Sequence, residues 1–359
     1  MESEDRTEAV RGGSVRVAAR LISDIENRTG AEREALADLF SSCGGAHLVG
    51  VTGPPGAGKS TLVGALIRAY RSRGATIGVI AVDPSSPFTG GALLGDRDRM
   101  VDSALDPDVF IRSIASRGQS GGLASAVNDA VDVMDAMGKD VVIIETVGVG
   151  QGELAIAKIA HTVLLTLVPG YGDALQAMKA GIIEIADVIA VNKSDMPGSQ
   201  QVVQELHAQG LEHVSDDGSA VWTVPVTAVS ARRGEGIDEL VDSIAAHRAF
   251  TDAHGWTEVR EHLRRQQQLR DLIHRHIEDE VMADLTSTAT FERWSRRLDA
   301  GEVDPAGAAR AVVGELRRHI ALLEQGSDPG REATDPETAF SPQRQHHTRH
   351  EPESEVPSR

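Results

Sequence analysis

"AHLVGVTGPPGAGKSTLVGALIRAY", residues 46–70, decides the fold. It opens as a short apolar run suited to a buried strand and passes through a turn rich in glycine and proline. It then continues with apolar residues at helical spacing. The turn "GPPGAGKST" (53–61) fits G-x-x-x-x-G-K-[ST], and a strand before it with a helix after it is the context that motif requires. Gly53, Gly56 and Gly58 allow backbone amides to converge on phosphate oxygens at a helix N-terminus. The whole loop of Gly53, Pro54, Pro55, Gly56, Ala57, Gly58, Lys59, Ser60 and Thr61 therefore reads as a phosphate cradle. Lys59 is expected to bridge the β- and γ-phosphates, and Ser60 to ligate Mg²⁺.

Outward from this loop, apolar β-branched runs alternate with helical stretches: "TIGVIAV", "DVFIRSI", "DVVIIET", "TVLLTLV", "DVIAVN" and "VWTVPVTA". Near-continuous apolar strands separated by helices predict a mainly parallel sheet flanked by helices, an α/β fold of the P-loop NTPase type. That domain is placed at residues 44–250, after an N-terminal helical extension at 1–43. Residues 251–325 carry no strand signal and are read as a C-terminal helical segment. Within it Leu269, Leu272, Ile273, Ile277 and Val281 share one helical face, read as core or dimer surface. Asp304 is the expected N-cap of a helix with Pro305 in its first turn. Residues 326–359 lack periodicity and are expected to be a disordered tail.

The chain of 359 residues is 40% hydrophobic and carries a net charge of −18, with 3% aromatic residues. Acidity without a basic stripe excludes nucleic acid and anionic membrane as main partners, and few aromatics leave no stacking platform for single strands. Cys43 is the only cysteine, so no disulfide framework or thiolate pair is available. No apolar run reaches the roughly 18 residues of a membrane span, and the N-terminus reads as free of a signal peptide. A cytoplasmic protein is expected. "HHTRH" (346–350) reads as tail composition, not as a metal site. Five of the 36 basic residues are lysines, two of them Lys59 and Lys193, where a compact ammonium does what a forked guanidinium does not.

"NKSD" (192–195) follows one late strand and "VSA" (229–231) the next. The two acceptor oxygens of Asp195 match the adjacent N1–H and N2–H donors of guanine, a donor pair adenine lacks. Asn192 is expected to bond the base's other edge and the Lys193 stem to lie along the ring, with Ser230 and Ala231 completing the pocket. In "VDPSSPFTGGALLGDRDRM" (82–100), Asp83 and Asp96 are candidates to hold Mg²⁺ or its waters. A turn residue before Pro84 and a solvated charge are the ordinary alternatives.

"VVIIETVGVGQGE" (141–153) puts Glu145 where most GTPases place an aspartate, with the Gly148 amide able to sense the γ-phosphate. Glu145 is read as holding the Mg²⁺ shell, against the alternative of a helix-capping acid. Gln151 is displaced from the usual position of a water-orienting glutamine, so slow intrinsic hydrolysis is expected. Lys59, Asp83 and Glu145 are the candidate catalytic residues. Ser60, Asp83, Glu145, Pro169, Asn192 and Ser230 all fall just beyond expected strand ends, the edge where open α/β sheets bind ligands.

Together "GPPGAGKST", "VDPSSP…TGGALLGDR.RM", "ETVGVGQ.E" and "VPG.GD.LQ..KAGI.EIAD…NKSD" resemble the MeaB/ArgK family of GTPases associated with methylmalonyl-CoA mutase. The resemblance covers roughly residues 15–325. It implies a homodimeric, GTP-dependent chaperone that gates cofactor loading into an adenosylcobalamin-dependent acyl-CoA mutase and protects that enzyme. By matching motif it implies that Ser60, Asp83, Asp96 and Glu145 surround Mg²⁺ and that Gln176 and Lys179 belong to a mobile third switch. Gly152, Tyr171 and Ala174 depart from the family pattern, the last two inside that switch. A small-molecule kinase and a metal-insertion GTPase are the competing readings.

Overall fold

A computed structural model of the chain describes residues 3–27, 30, 32–83, 105–115, 122–146, 156–170, 181–215, 217–277 and 289–326. Among the described residues seven strands form one sheet in the order β3-β2-β4-β1-β5-β6-β9, and every pairing in it is parallel. They are β1 (His47–Thr52), β2 (Ile77–Asp83), β3 (Val109–Ala115), β4 (Val141–Glu145), β5 (Thr162–Leu167), β6 (Val188–Val191) and β9 (Val226–Ala228). β1, β4, β5 and β6 are buried along their whole length, which is why they read as continuous apolar runs.

Successive side chains of β1 feed opposite faces of the sheet. Val49 and Val51 join Leu62 and Leu66 of α4 (Lys59–Ser72) and Leu240 and Ile244 of α7 (Ile237–Ala253) in one core. Leu48 joins a second core with Val131 and Met134 of α5 (Gly122–Ala136). Gly50, mid-strand, keeps room for the 156–160 turn, because a Cβ there would stand 2.5 Å from Ile156 Cγ1. α6 (Ser199–Gln209) covers a third core beside β5 and β6.

The N-terminal helices are part of the packing. α1 (Ser3–Arg11) and α3 (Arg33–Phe40) pair, and α2 (Val15–Asn27) lies on α5. Ala18, Leu21, Ile22 and Ile25 of α2 recur at the spacing of one helical face, and all are buried. Arg112 of β3 ties the lead-in down by donating to Ser23 Oγ (2.8 Å) and Glu26 Oε2 (2.7 Å). The Asp135 carboxylate of α5 accepts from the amides of Gly45 (3.1 Å) and Ala46 (2.9 Å), closing the entry into β1. Cys43, beside it, points its thiol at Leu39 O (3.4 Å) and Asp132 O (3.3 Å). Burial, with the Asp132 and Asp135 charges, pushes that thiol up to about 12.

The stretch "VWTVPVTA", expected as one strand, is two. Val221–Thr223 forms β8 and pairs antiparallel with β7 (Glu212–Val214) in a separate hairpin, while Val226–Ala228 enters the main sheet as β9. Pro225 between them lacks the N–H that a continuous ladder needs, though its carbonyl still accepts from Ile189 N at 2.9 Å.

α8 (Trp256–His276) packs on α5 and α7, so the compact unit that holds the sheet runs to Asp279. Its inward face is polar. Arg260 donates to both oxygens of Asp187 (2.8 and 2.7 Å), at the residue before β6, and Arg264 Nη1 donates to Asp132 Oδ1 at 3.0 Å. Gln268 Nε2 donates to Asp132 Oδ2 at 2.9 Å. The outward face is apolar: Val259, Leu263, Leu269, Leu272, Ile273 and Ile277 are all exposed. Val281 lies outside the described residues.

The described residues 289–326 belong to a second unit, and the expected tail beyond Gly326 lies outside the described residues. In that unit α9 (Ala289–Asp299) pairs with α10 (Pro305–Gly326). Asp304 Oδ1 accepts from Gly307 N at 2.9 Å, the side-chain cap expected of it. Glu315 of α10 accepts from Thr290 (3.0 Å), Arg293 (2.6 Å) and Trp294 (3.3 Å) on α9.

Candidate nucleotide site

Residues 53–58 turn tightly between the end of β1 and the start of α4, which Gly58 caps in the left-handed conformation at φ 86°. Gly53 has φ 139°, and a Cβ on it would stand 2.2 Å from Thr166 O on β5. Both the backbone angle and the neighbouring strand therefore demand glycine. The loop curls around its own lysine: buried Lys59 donates through Nζ to Gly53 O (2.8 Å) and Pro54 O (3.2 Å). An ammonium held by carbonyls at this point is already aimed into the cradle that amides of the loop surround.

Ser60, in the first turn of α4, donates its hydroxyl to Glu145 Oε1 at 2.6 Å, and both residues are buried. Register explains the meeting. β4 lies beside β1 with Val51 opposite Glu145, so the acid stands next to the exit of the phosphate loop. Two hard oxygens this close need part by only about 0.3 Å to become adjacent corners of an octahedral Mg²⁺ shell, where ligands at 2.0–2.1 Å lie about 2.9 Å apart. The donor set thus suits Mg²⁺, directly or through its waters.

The second half of the site is tied to the first by hydrogen bonds. Asn192, just after β6, donates through Nδ2 to Ala57 O (2.8 Å), while its Oδ1 accepts from Lys193 N (2.8 Å) and Ala231 N (3.1 Å). A Cβ on Gly58 would stand 2.7 Å from Asn192 Nδ2, so the close approach of the two loops needs a residue without one. Lys193 reaches back through Nζ to Gly56 O at 2.8 Å. Among the described residues it is the one non-glycine with positive φ, at 58°.

Asp195 completes the group. Ser230 Oγ donates to its Oδ1 at 3.0 Å, and Arg233 Nη2 stands 3.6 Å from its Oδ2. The Ser230 hydroxyl first, and the charges of Arg233 and Arg232 after it, hold the Asp195 carboxyl below the usual range. It is an anion at neutral pH, able to accept two donors from a purine edge.

Lys59, Ser60 and Glu145 thus share the carboxyl edge of the sheet with Asn192, Lys193, Asp195, Ser230 and Ala231. β2 ends at Asp83, one strand beyond β4, which brings its backbone to the same edge. The Asp83 side chain and residues Asp96, Gly148, Gln151, Gly152, Tyr171, Ala174, Gln176 and Lys179 lie outside the described residues. Arg233 was not anticipated from the sequence, although a basic pair directly after "VSA" was a legible signal. Thr166 carried none, because its contribution is a backbone carbonyl.

The profile of the family described as "Methylmalonyl Co-A mutase-associated GTPase MeaB" matches residues 18–286. A protein of Pyrococcus abyssi named as a GTPase is 44% identical over 314 residues, covering 87% of this chain and 96% of its own length. The mouse "Methylmalonic aciduria type A homolog, mitochondrial" is 34% identical over 269 residues, covering 74% of this chain and 64% of its own. Among solved structures, the crystal structure of a LAO/AO transport system kinase is similar with a TM-score of 0.63 and 26% identity. It covers 88% of this chain and 97% of that one.

Proposed function

The chain belongs to the MeaB family of methylmalonyl-CoA mutase-associated GTPases, and on that premise we propose that it is a GTP-switched chaperone of an adenosylcobalamin-dependent acyl-CoA mutase. In this reading it gates loading of the coenzyme and protects the mutase. One observation carries the nucleotide half: base loop and phosphate loop are joined by the Asn192–Ala57 and Lys193–Gly56 hydrogen bonds, with the anionic Asp195 carboxylate at the rim. The mouse relative's link to methylmalonic aciduria supports the mutase half.

On binding, Lys59 would exchange the carbonyls of Gly53 and Pro54 for β- and γ-phosphate oxygens. Loop amides would donate to the same phosphates, and Asp195 would accept from N1–H and N2–H of guanine. Ser60 and Glu145 would hold Mg²⁺, with Asp83 and Asp96 as further proposed ligands; the ion supplies positive charge to the phosphate oxygens. The glutamine displaced to position 151 supports slow turnover, to be accelerated when a mutase moves the segment that carries Gln176 and Lys179. The proposal also includes a homodimer, supported by the exposed apolar stripe of α8. Leu269 and Leu272 of that stripe border a groove of about 400 Å³ with Leu36 and Phe40. A cytoplasmic location is included too, which fractionation of the source cells would check.

The test is nucleotide turnover, GTP beside ATP, alone and with the adenosylcobalamin-dependent acyl-CoA mutases of the source organism. GTP-selective hydrolysis that rises with one mutase is the expected result. Turnover indifferent to every mutase overturns the chaperone reading. Phosphoryl transfer to a small molecule, favoured by the name of the similar kinase structure, predicts ATP-selective turnover that depends on an added acceptor.

A further inference from the structure

The loop after β9 does more than supply the Ser230 hydroxyl. Ser230 N donates to Glu235 O (2.9 Å), and the amides of Arg233 (3.0 Å) and Gly234 (2.8 Å) return to Ser230 O. Gly236 closes the turn at φ 72°, where a Cβ would stand 2.3 Å from Ala228 O. This closed loop fixes where Arg233 leaves the backbone, while its side chain remains 58% exposed. Its guanidinium spans two carboxylates: Nη2 is 3.6 Å from Asp195 Oδ2, and Nη1 is 4.0 Å from Glu235 Oε1.

We propose that Arg233 is a placeholder for the guanine edge: it pairs with Asp195 when no base is bound, yields that carboxylate to the base, and shifts onto Glu235. The inference rests on the reading of Asp195 as the base-recognition residue. Three features of the site argue for it. An anionic carboxylate waiting for two N–H donors is matched meanwhile by a group whose fork also presents N–H donors. The side chain is exposed and tethered at one end, so it can leave without disturbing any core contact. The second carboxylate lies on the far side of the fork, so the cation retains a partner after it moves. A placeholder of this kind lowers the affinity for guanine nucleotide, since its pairing competes with binding, and it does so without touching the phosphates.

The test measures GDP affinity, in the presence of Mg²⁺, for the full chain and for Arg233→Ala, Arg233→Lys, Glu235→Gln and Asp195→Asn. An exposed pair of this type competes weakly, so Arg233→Ala should bind GDP about two- to fivefold more tightly. Arg233→Lys should return toward wild type, and Glu235→Gln should weaken binding because the cation loses its alternative partner. Raising the salt should narrow the gap between wild type and Arg233→Ala, since it screens the pair. A merely structural arginine gives no gain in affinity and no such salt dependence. Unchanged or weaker GDP binding by Arg233→Ala overturns the proposal while Asp195→Asn still loses guanine. If Asp195→Asn keeps full GDP affinity, the base-site reading fails, and the placeholder fails with it.

Discussion

Lys193 holds a backbone conformation that side chains other than glycine avoid, and it does so where two loops must be locked together. The left-handed angle at 58° aims its ammonium at Gly56 O, so strain and cross-link come as a pair. Lys193→Gly should relieve the strain and lose the bond; Lys193→Ala should lose the bond and keep the strain. The alanine variant should therefore be less stable than the glycine variant by about 1 kcal/mol, read from denaturant midpoints. Equal stabilities would remove strain from the account. Lys59→Ala should abolish nucleotide binding in a titration with GDP. Asp195→Asn should weaken GTP by on the order of 100-fold, through two charge-assisted bonds, and gain xanthine nucleotide in return. At this scale the site was legible wherever a motif fixes residue type and spacing together, as at Lys59, Asn192 and Asp195. Arg233 was legible only as part of a basic pair after "VSA"; that it meets a carboxylate 38 positions earlier is fixed by the fold alone.

β6 shows what an element adds to its residues. Its far end passes into Asn192 and Asp195, and just before its near end Asp187 is buried, accepting from Val163 N (2.8 Å) and from Arg260 of α8. His247 of α7 stands 3.3 Å away. Burial opposes the Asp187 charge, but the Arg260 and His247 partners outweigh it and hold the carboxyl well below the usual range. Asp187→Ala strands a guanidinium and should cost about 3–5 kcal/mol, a fall in melting temperature on the order of 10 °C. The sign with pH follows from the depressed folded value. The Asp187 contribution is complete above the unfolded carboxyl's titration, near pH 3.9, and is lost as pH falls through the folded value. The deficit of Asp187→Asn against wild type should therefore be flat from pH 5 to 8 and shrink only in strong acid. A deficit that shrinks already near pH 6 would assign the effect to a histidine. The sheet itself was legible because its strands are apolar end to end. The break at Pro225 was legible in principle, since the missing N–H is written in the sequence. The orientation of α8 was not, because a stripe of leucine and isoleucine looks the same whether it faces the core or away from it. Here Asp132 and Asp187, distant in sequence, claim its polar face first.

For the whole molecule, that inverted helix sets the expected assembly. Leu269→Asp together with Ile273→Asp should leave GDP binding unchanged and reduce the mass in solution from dimer to monomer, measured by light scattering. A monomeric wild type would overturn the homodimer. The N-terminal helices matter at the same scale, since α1, α2 and α3 close over α5 as a continuous part of one core, and Cys43 sits where α3 runs into the first strand. A lone thiol pushed up to about 12 is almost entirely protonated at pH 8 and should ignore alkylating reagents while that seam is shut. The chain therefore carries a built-in clock: each opening of the helical cover exposes one thiol, the chain's single cysteine. The rate at which native protein takes up a thiol label should count those openings, with and without nucleotide, and needs no engineered probe.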